Sequence, residues 1–174
     1  MRMNEIAYND QHDLGLVTPL DQDLTFERRA ARAVLRNASG QVAVMHFRVN
    51  GSYKLPGGGI DSGEETLDAL HREVREETGY TITNIREVGL VEENRYYNGM
   101  HQISYCYAAD VVDFVGTELT EGEAADGMEL VWFDTIDDAI SAINGAAAID
   151  IGDGGVGLHM MKLRDTAILR ASIA

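Results

Sequence analysis

Between residues 53 and 80 the chain changes character in a way that limits the folds open to it. Tyr53-Lys54-Leu55 is strand-like and runs into Pro56-Gly57-Gly58-Gly59, a loop that cannot continue regular structure. Beyond it the spacing predicts a helix over 64–79, with Leu67, Leu70 and Val74 three and four residues apart on one face. Ser62 is placed to cap this helix while Glu65 reaches back to it, and Gly79 is placed to end it. The helix also carries Glu73, Glu76 and Glu77 at i, i+3 and i+4, so three carboxylates project from the same side. Unscreened, such a cluster repels itself, and burying it raises the pKa of at least one member. A hard cation among them reverses the sign, because Mg²⁺ takes oxygen ligands. The competing reading is a solvated acidic face of an ordinary helix.

Charge bears on the choice. The 174 residues carry 29 acids against 14 bases, a net charge of −15. A third of that surplus lies in the 23 residues 58–80, where seven acids (Asp61, Glu64, Glu65, Asp68, Glu73, Glu76, Glu77) face Arg72 and Arg75. A surface of this sign repels polyanions at long range and argues against nucleic acid as a partner. An anionic substrate would need a positive mediator here, for which a divalent cation is the obvious candidate.

Gly58, five residues, Glu64, seven residues, then Arg72-Glu73-Val74-Arg75-Glu76-Glu77-Thr78-Gly79-Tyr80 resembles the Nudix box of the Nudix hydrolase (MutT-like) family. That signature is G-x5-E-x7-R-E-U-x-E-E-x-G-U, with U a bulky aliphatic residue. Eight of its nine specified positions match in register; the ninth is Tyr80, at a packing position. The resemblance implies an α/β fold, a Nudix-type α/β/α sandwich with a central mixed sheet, and a Mg²⁺ site in which Mn²⁺ can substitute. By similarity, Glu73 and Glu77 are direct metal ligands and Glu76 is a further ligand or the base that activates water. The Gly58 carbonyl completes part of the coordination, Arg72 pairs with and orients a box glutamate, and Glu64 supports the cluster from one end. Family members commonly recruit one more carboxylate from a loop before a late strand. Here that is Glu123 or, failing it, Glu121 or Glu118, with a merely acidic loop as the alternative.

The remainder reads as one domain over 26–174 preceded by an extension, 1–25, that holds at most one edge strand. Ala30–Leu35 and Val42–Phe47 flank Asn37-Ala38-Ser39-Gly40 and read as a hairpin. Strands are expected around Ile85–Glu93 and Ile103–Val112, separated by a polar loop at Asn94–His101, and again at Met128–Phe133. Asp134 or Thr135 caps a helix over Asp137–Ile143, and a last helix lies near Leu158–Ala171. This order suggests a mixed sheet with helices on both faces. No apolar run approaches the roughly 20 residues that span a bilayer, no secretory signal is visible, and Cys106, the single cysteine, has no internal partner. These features favour a soluble cytoplasmic protein with no membrane partner.

Outside the box, Arg48 and Lys54 are candidate phosphate ligands or plain surface charges. Tyr96 and Tyr97, 16 and 17 residues past the box, are candidate base-stacking residues or strand-end packing. Gly152–Gly157 formally fits G-x-G-x-x-G, but too little chain follows to complete a dinucleotide-binding unit. The histidines show no H-E-x-x-H spacing. The resulting expectation is a metal-dependent hydrolase of a nucleoside diphosphate linked to another group. An NTP or modified NTP is the first substrate and a dinucleoside polyphosphate the second. The alternative is a nucleotide-sensing module without turnover. Homodimers are frequent in the family the box resembles, which is analogy only.

Overall fold

The computed structural model describes residues 3–147, 153 and 155–173. Strands β1 (Glu5–Asp10), β2 (Phe26–Arg36), β3 (Val42–Phe47) and β4 (Ser52–Lys54) precede helix α1 (Thr66–Thr78). There follow β5 (Tyr80–Arg95), β6 (Met100–Phe114), α2 (Glu121–Ala125), β7 (Met128–Phe133), α3 (Ile136–Gly145) and α4 (Val156–Ala171). The seven strands form one mixed sheet in the order β1-β5-β6-β2-β3-β4, with β7 paired to β3.

Alternation along β2 makes the sheet two-sided, since successive side chains point to opposite faces. Ala31, Ala33 and Leu35 pack with Ala69, Leu70 and Val74 of α1. Val34, between them, joins Val91, Cys106 and Ala108 in a second core against Ile136, Ala139 and Ile143 of α3 and Ile168 and Leu169 of α4. The expected α/β/α sandwich is therefore the architecture. None of the described helices is long and apolar enough to cross a membrane.

The hairpin expected from β2 and β3 closes only at its mouth. Asn37 Oδ1 accepts the Ser39 and Gln41 amides in the turn, and Arg36 pairs with Val42, but no further rung forms. Instead β2 runs parallel to β6 from Phe26↔Met100 to Arg36↔Asp110, and β3 pairs with β7 along its whole length. The free edge of β2 is taken by the glycine loop. The Ala33 amide donates to Pro56 O, the Ala31 amide to Gly58 O, and the Ile60 amide to Arg29 O. The loop thus acts as a surrogate strand. A side chain at Gly57, where φ is +123°, would collide with the Ala31 carbonyl.

Three local expectations need correcting. Ser62 does not cap α1: the helix starts at Thr66 with Glu65 at its N-cap, which makes no side-chain cap bond. A turn at Asp61–Glu64 intervenes, closed by the Glu64 amide on Asp61 O and the Asp61 amide on the Glu64 carboxylate. Leu67 stays half exposed, and the face of α1 on the sheet is Ala69, Leu70 and Val74. The polar loop Asn94–His101 shrinks to residues 96–99, because β5 and β6 pair up to Arg95↔Met100. The amino-terminal segment contributes β1, an edge strand parallel to β5.

Candidate functional site

One cavity of about 310 Å³ gathers residues from five segments of the chain. Strand β2 supplies Arg28 and Arg32, and β4 supplies Lys54. The loop presents Gly57, Gly58 and Gly59; α1 adds Arg72, Glu73, Glu76 and Glu77; the turn into α2 adds Thr120 and Glu123.

The three clustered glutamates have different surroundings. Glu77 is buried, its Oε1 2.7 Å from Lys54 Nζ and its Oε2 accepting the Gly57 amide at 2.7 Å. It therefore ties the helix to both the strand and the loop. Glu73 lies against Gly58, where any Cβ would strike its carboxylate, and accepts Arg72 Nη1 at 2.7 Å. Burial pushes its carboxyl up, Arg72 pulls it down, and the neighbouring Glu77 and Glu76 push it up again; the net shift is upward. Glu76 is the least engaged, with one contact, to Arg72 Nη1 at 3.3 Å.

Arg72 organises the group. It grips Glu64 with Nε and Nη2, each at 2.8 Å, and donates from Nη2 to Gly59 O at 2.9 Å. Hydrogen bonds from Arg72 and the Asp61 amide hold the Glu64 carboxyl down at about 2. The Arg72 guanidinium is held charged by the same bonds to Glu64.

Of the residues singled out from sequence, Gly58, Lys54, Arg72, Glu73, Glu76, Glu77 and Glu123 line this cavity. Arg48 does not; its side chain points outward, 3.9 Å from Glu129. Tyr96 and Tyr97 also lie elsewhere, in the β5–β6 turn. The Tyr96 ring stacks on His12 at 3.8 Å and its hydroxyl donates to Asp10. The Tyr97 amide donates to Gln11 Oε1. Both tyrosines are held by the amino-terminal segment, which explains why they do not face the cavity. The Gly152–Gly157 motif lies partly outside the described residues; Gly155, with φ of +77°, stands at the N-cap of α4. A separate cavity of about 240 Å³ between Gly15–Val17 and the start of α4 is lined by no carboxylate among the described residues.

Sequence reasoning missed Arg28, Arg32 and Thr120. The signal for the arginines was their i, i+4 placement on one strand, which puts both on one face of the sheet. The signal for Thr120 was the T-x-x-E pattern: its hydroxyl accepts the Glu123 amide while the Glu123 carboxylate accepts the Thr120 amide at 2.9 Å. Glu123 thus faces the cavity while serving as half of a capping box.

All the carboxylate, carbonyl and hydroxyl groups here are hard oxygen donors, the type that Mg²⁺ takes. The upward-shifted Glu73 beside two like charges is a group that a cation would relieve. Among the described residues no three acidic, histidine or cysteine side chains already converge on one point. Arg72 engages Glu73 and Glu76, and Lys54 engages Glu77, so the residues present fit a hard cation by donor type and would take it by exchanging these contacts.

A sequence model of the family described as NUDIX domain matches residues 26–147. The RNA pyrophosphohydrolase of Bartonella quintana (strain Toulouse) is 34% identical over 103 residues, covering 50% of this chain and 57% of that protein. A Bacillus subtilis (strain 168) protein provisionally named an 8-oxo-dGTP diphosphatase is 29% identical over 73 residues, 42% of this chain and 49% of that one. The chain thus spans about half the length of these curated relatives. Among solved structures, a NUDIX hydrolase from Nitrosomonas europaea superposes with a TM-score of 0.57 at 21% identity, over 77% of this chain and 88% of that one. A MutT NUDIX hydrolase from Burkholderia pseudomallei gives 0.54 at 24% identity, over 65% and 86%.

Proposed function

This chain belongs to the NUDIX domain family, and on that premise we propose that its cavity hydrolyses a diphosphate linkage in a nucleoside triphosphate or a modified one, with a divalent cation. The observation that carries the reading is the joint lining of one cavity by Arg72, Glu73, Glu76 and Glu77 together with the glycine loop.

Glu73 and Glu77, with Glu123 and the Gly58 carbonyl, are the groups that would hold Mg²⁺ or Mn²⁺. When bound, such an ion neutralises phosphate charge and acidifies water. Glu76 is the base. It is the least engaged carboxylate of the three, so it is free to take the proton of the attacking water. The water oxygen bonds to phosphorus, the bridging P–O bond breaks, and the leaving phosphate departs with the bridging oxygen. Arg72 positions the carboxylates through its bonds to Glu64 and Glu73. Lys54 neutralises Glu77 and so keeps the loop docked on the helix. The single buried cysteine suits a reducing compartment, and we assign the cytoplasm on that basis.

A second reading is removal of diphosphate from the 5′ end of RNA, favoured by the name of the Bartonella relative. The net charge of −15 disfavours a long RNA track and confines this reading to the first nucleotides. A sensor without turnover is the third.

The test is incubation of the purified protein, with Mg²⁺ or Mn²⁺, against a panel of substrates. The panel comprises NTPs, 8-oxo-dGTP, dinucleoside polyphosphates, ADP-ribose, nucleotide sugars and a 5′-triphosphorylated oligoribonucleotide. The expected result is release of phosphate or diphosphate from at least one NTP, lost in EDTA. Cleavage of the oligoribonucleotide alone moves the substrate to RNA. Inertness across the panel rejects the enzyme in favour of the sensor.

A further inference from the structure

The wall of the cavity opposite α1 carries cations without counter-ions. Arg32 is buried, with 5% of its surface exposed. It donates from Nη1 to Gly57 O, while its Nε has no hydrogen-bond partner among the described residues. Arg28 donates from Nη1 to Gln102 Oε1 at 2.9 Å, a neutral acceptor. Neither forms an ion pair with any described residue. Arg95 and Arg164, the neighbouring guanidiniums on this side of the sheet, are matched by Glu93 and Asp165. The surplus positive charge therefore rests on Arg28 and Arg32.

An uncompensated charge in a dry site is costly, and the protein normally supplies a partner. Burial, then the nearby Arg164, pulls the Arg32 guanidinium down to about 10, so it stays protonated near neutral pH. Burial, then Arg95 and Arg164, shifts Arg28 in the same direction. Both side chains line the space that the glutamates face from the other side. Gln102 is itself fixed, donating to Glu93 and Ser104, and so holds Arg28 in place.

We propose that Arg28 and Arg32 form an oxyanion subsite on β2 that takes a phosphoryl group of the substrate, with Arg28 set in position by Gln102. The planar guanidinium fork suits phosphate oxygens and adds charge to each hydrogen bond. In this arrangement β2 holds the substrate while α1 carries out the chemistry. The assignment rests on the hydrolase reading only for the identity of the anion's owner; the chemistry of the subsite is that of a diphosphate.

The probe is inorganic pyrophosphate, titrated calorimetrically into the protein in EDTA so that no metal contributes. The wild type should bind, and Arg28→Gln and Arg32→Gln should each weaken binding by about tenfold or more, as removal of a charge-assisted contact implies. Arg29→Gln is the control, because Arg29 is the adjacent arginine but reaches Tyr105 on the other side of the strand. It should bind like the wild type. If Arg32→Gln fails to fold for want of its bond to Gly57, Arg28→Gln still decides the matter. Absence of binding by the wild type, or unchanged binding by Arg28→Gln, overturns the subsite. Turnover separates the two claims: pyrophosphate binding lost in Arg28→Gln without any substrate being cleaved keeps the subsite and removes the hydrolase. Cleavage with an unchanged KM in Arg28→Gln keeps the hydrolase and removes the subsite.

Discussion

Two of the molecule's clusters of arginine and acid differ in one respect. Beside Arg28 and Arg32, Glu93 receives Arg95 at 2.8 Å on one oxygen, and Gln102 at 2.8 Å with Arg164 at 3.8 Å on the other. Asp165 takes Arg164 Nε at 2.7 Å and the Leu55 amide at 2.9 Å. Every carboxylate oxygen there has a donor, and Glu93 and Asp165 are fully buried. Burial weighs against the charged Arg164, yet Asp165 and Glu93 hold it firmly ionised. In the cavity Glu77 is likewise paired on both oxygens, by Lys54 and the Gly57 amide, but its neighbours are not: Glu76 has one long contact and Glu73 is shifted upward. A saturated, dry cluster has nothing left to offer a ligand. An unsaturated one facing solvent does, and this difference, rather than residue type, separates structure from chemistry.

The largest effect should come from breaking the saturated cluster. Arg164→Met leaves Glu93 and Asp165 charged and partly unpaired in the interior. It should lower unfolding stability by about 3–5 kcal/mol in a urea titration. Activity per folded molecule should change little. Glu76→Gln should do the reverse, lowering turnover on the order of 10²–10³-fold with a stability change within about 0.5 kcal/mol. If Glu76→Gln destabilises the fold as much as Arg164→Met, the two clusters are of one kind and the contrast fails. The smallest effect sharpens the contrast at the edge of the cavity. The Glu64 carboxyl sits at about 2 in the fold, below its ordinary 4.5. A depressed folded value stabilises above the unfolded value and loses that contribution as pH falls through the folded one. The stability difference between wild type and Glu64→Gln should therefore be full above about pH 4.5 and close toward pH 2. Acid titration of both proteins followed by circular dichroism measures it; a gap that does not narrow rules out the Arg72–Glu64 pair as its source.

Local signals in the sequence carried well into the structure. Met128–Phe133 forms β7, Thr135 caps α3 and Gly79 ends α1 in the left-handed conformation, because each depends on residues within a few positions of one another. The spacing of the glutamates likewise brought Glu73, Glu76 and Glu77 to one cavity. What could not be read was pairing across long separations. The loop takes the edge of β2 that a hairpin partner would normally hold, and β2 meets β6 in parallel some 74 residues away. Nothing in Ala30–Leu35 distinguishes a hairpin strand from a parallel one, since both bury alternating faces. Arg28 and Arg32 escaped notice for the same reason: their significance comes from a loop and a helix that only the folded chain sets before them. Ser62 misled because Glu64 closes its own turn on Asp61 and moves the helix start to Thr66.

The Leu55 amide, just ahead of the glycine loop, finds its acceptor in Asp165, 110 positions further along. That donor has no such acceptor until α4 has been synthesised. A protein clipped before α4 would retain every glutamate of the box and lose the acceptor of this amide. The anchoring of the chain where it enters the glycine loop is in this sense entrusted to the far end of the polypeptide.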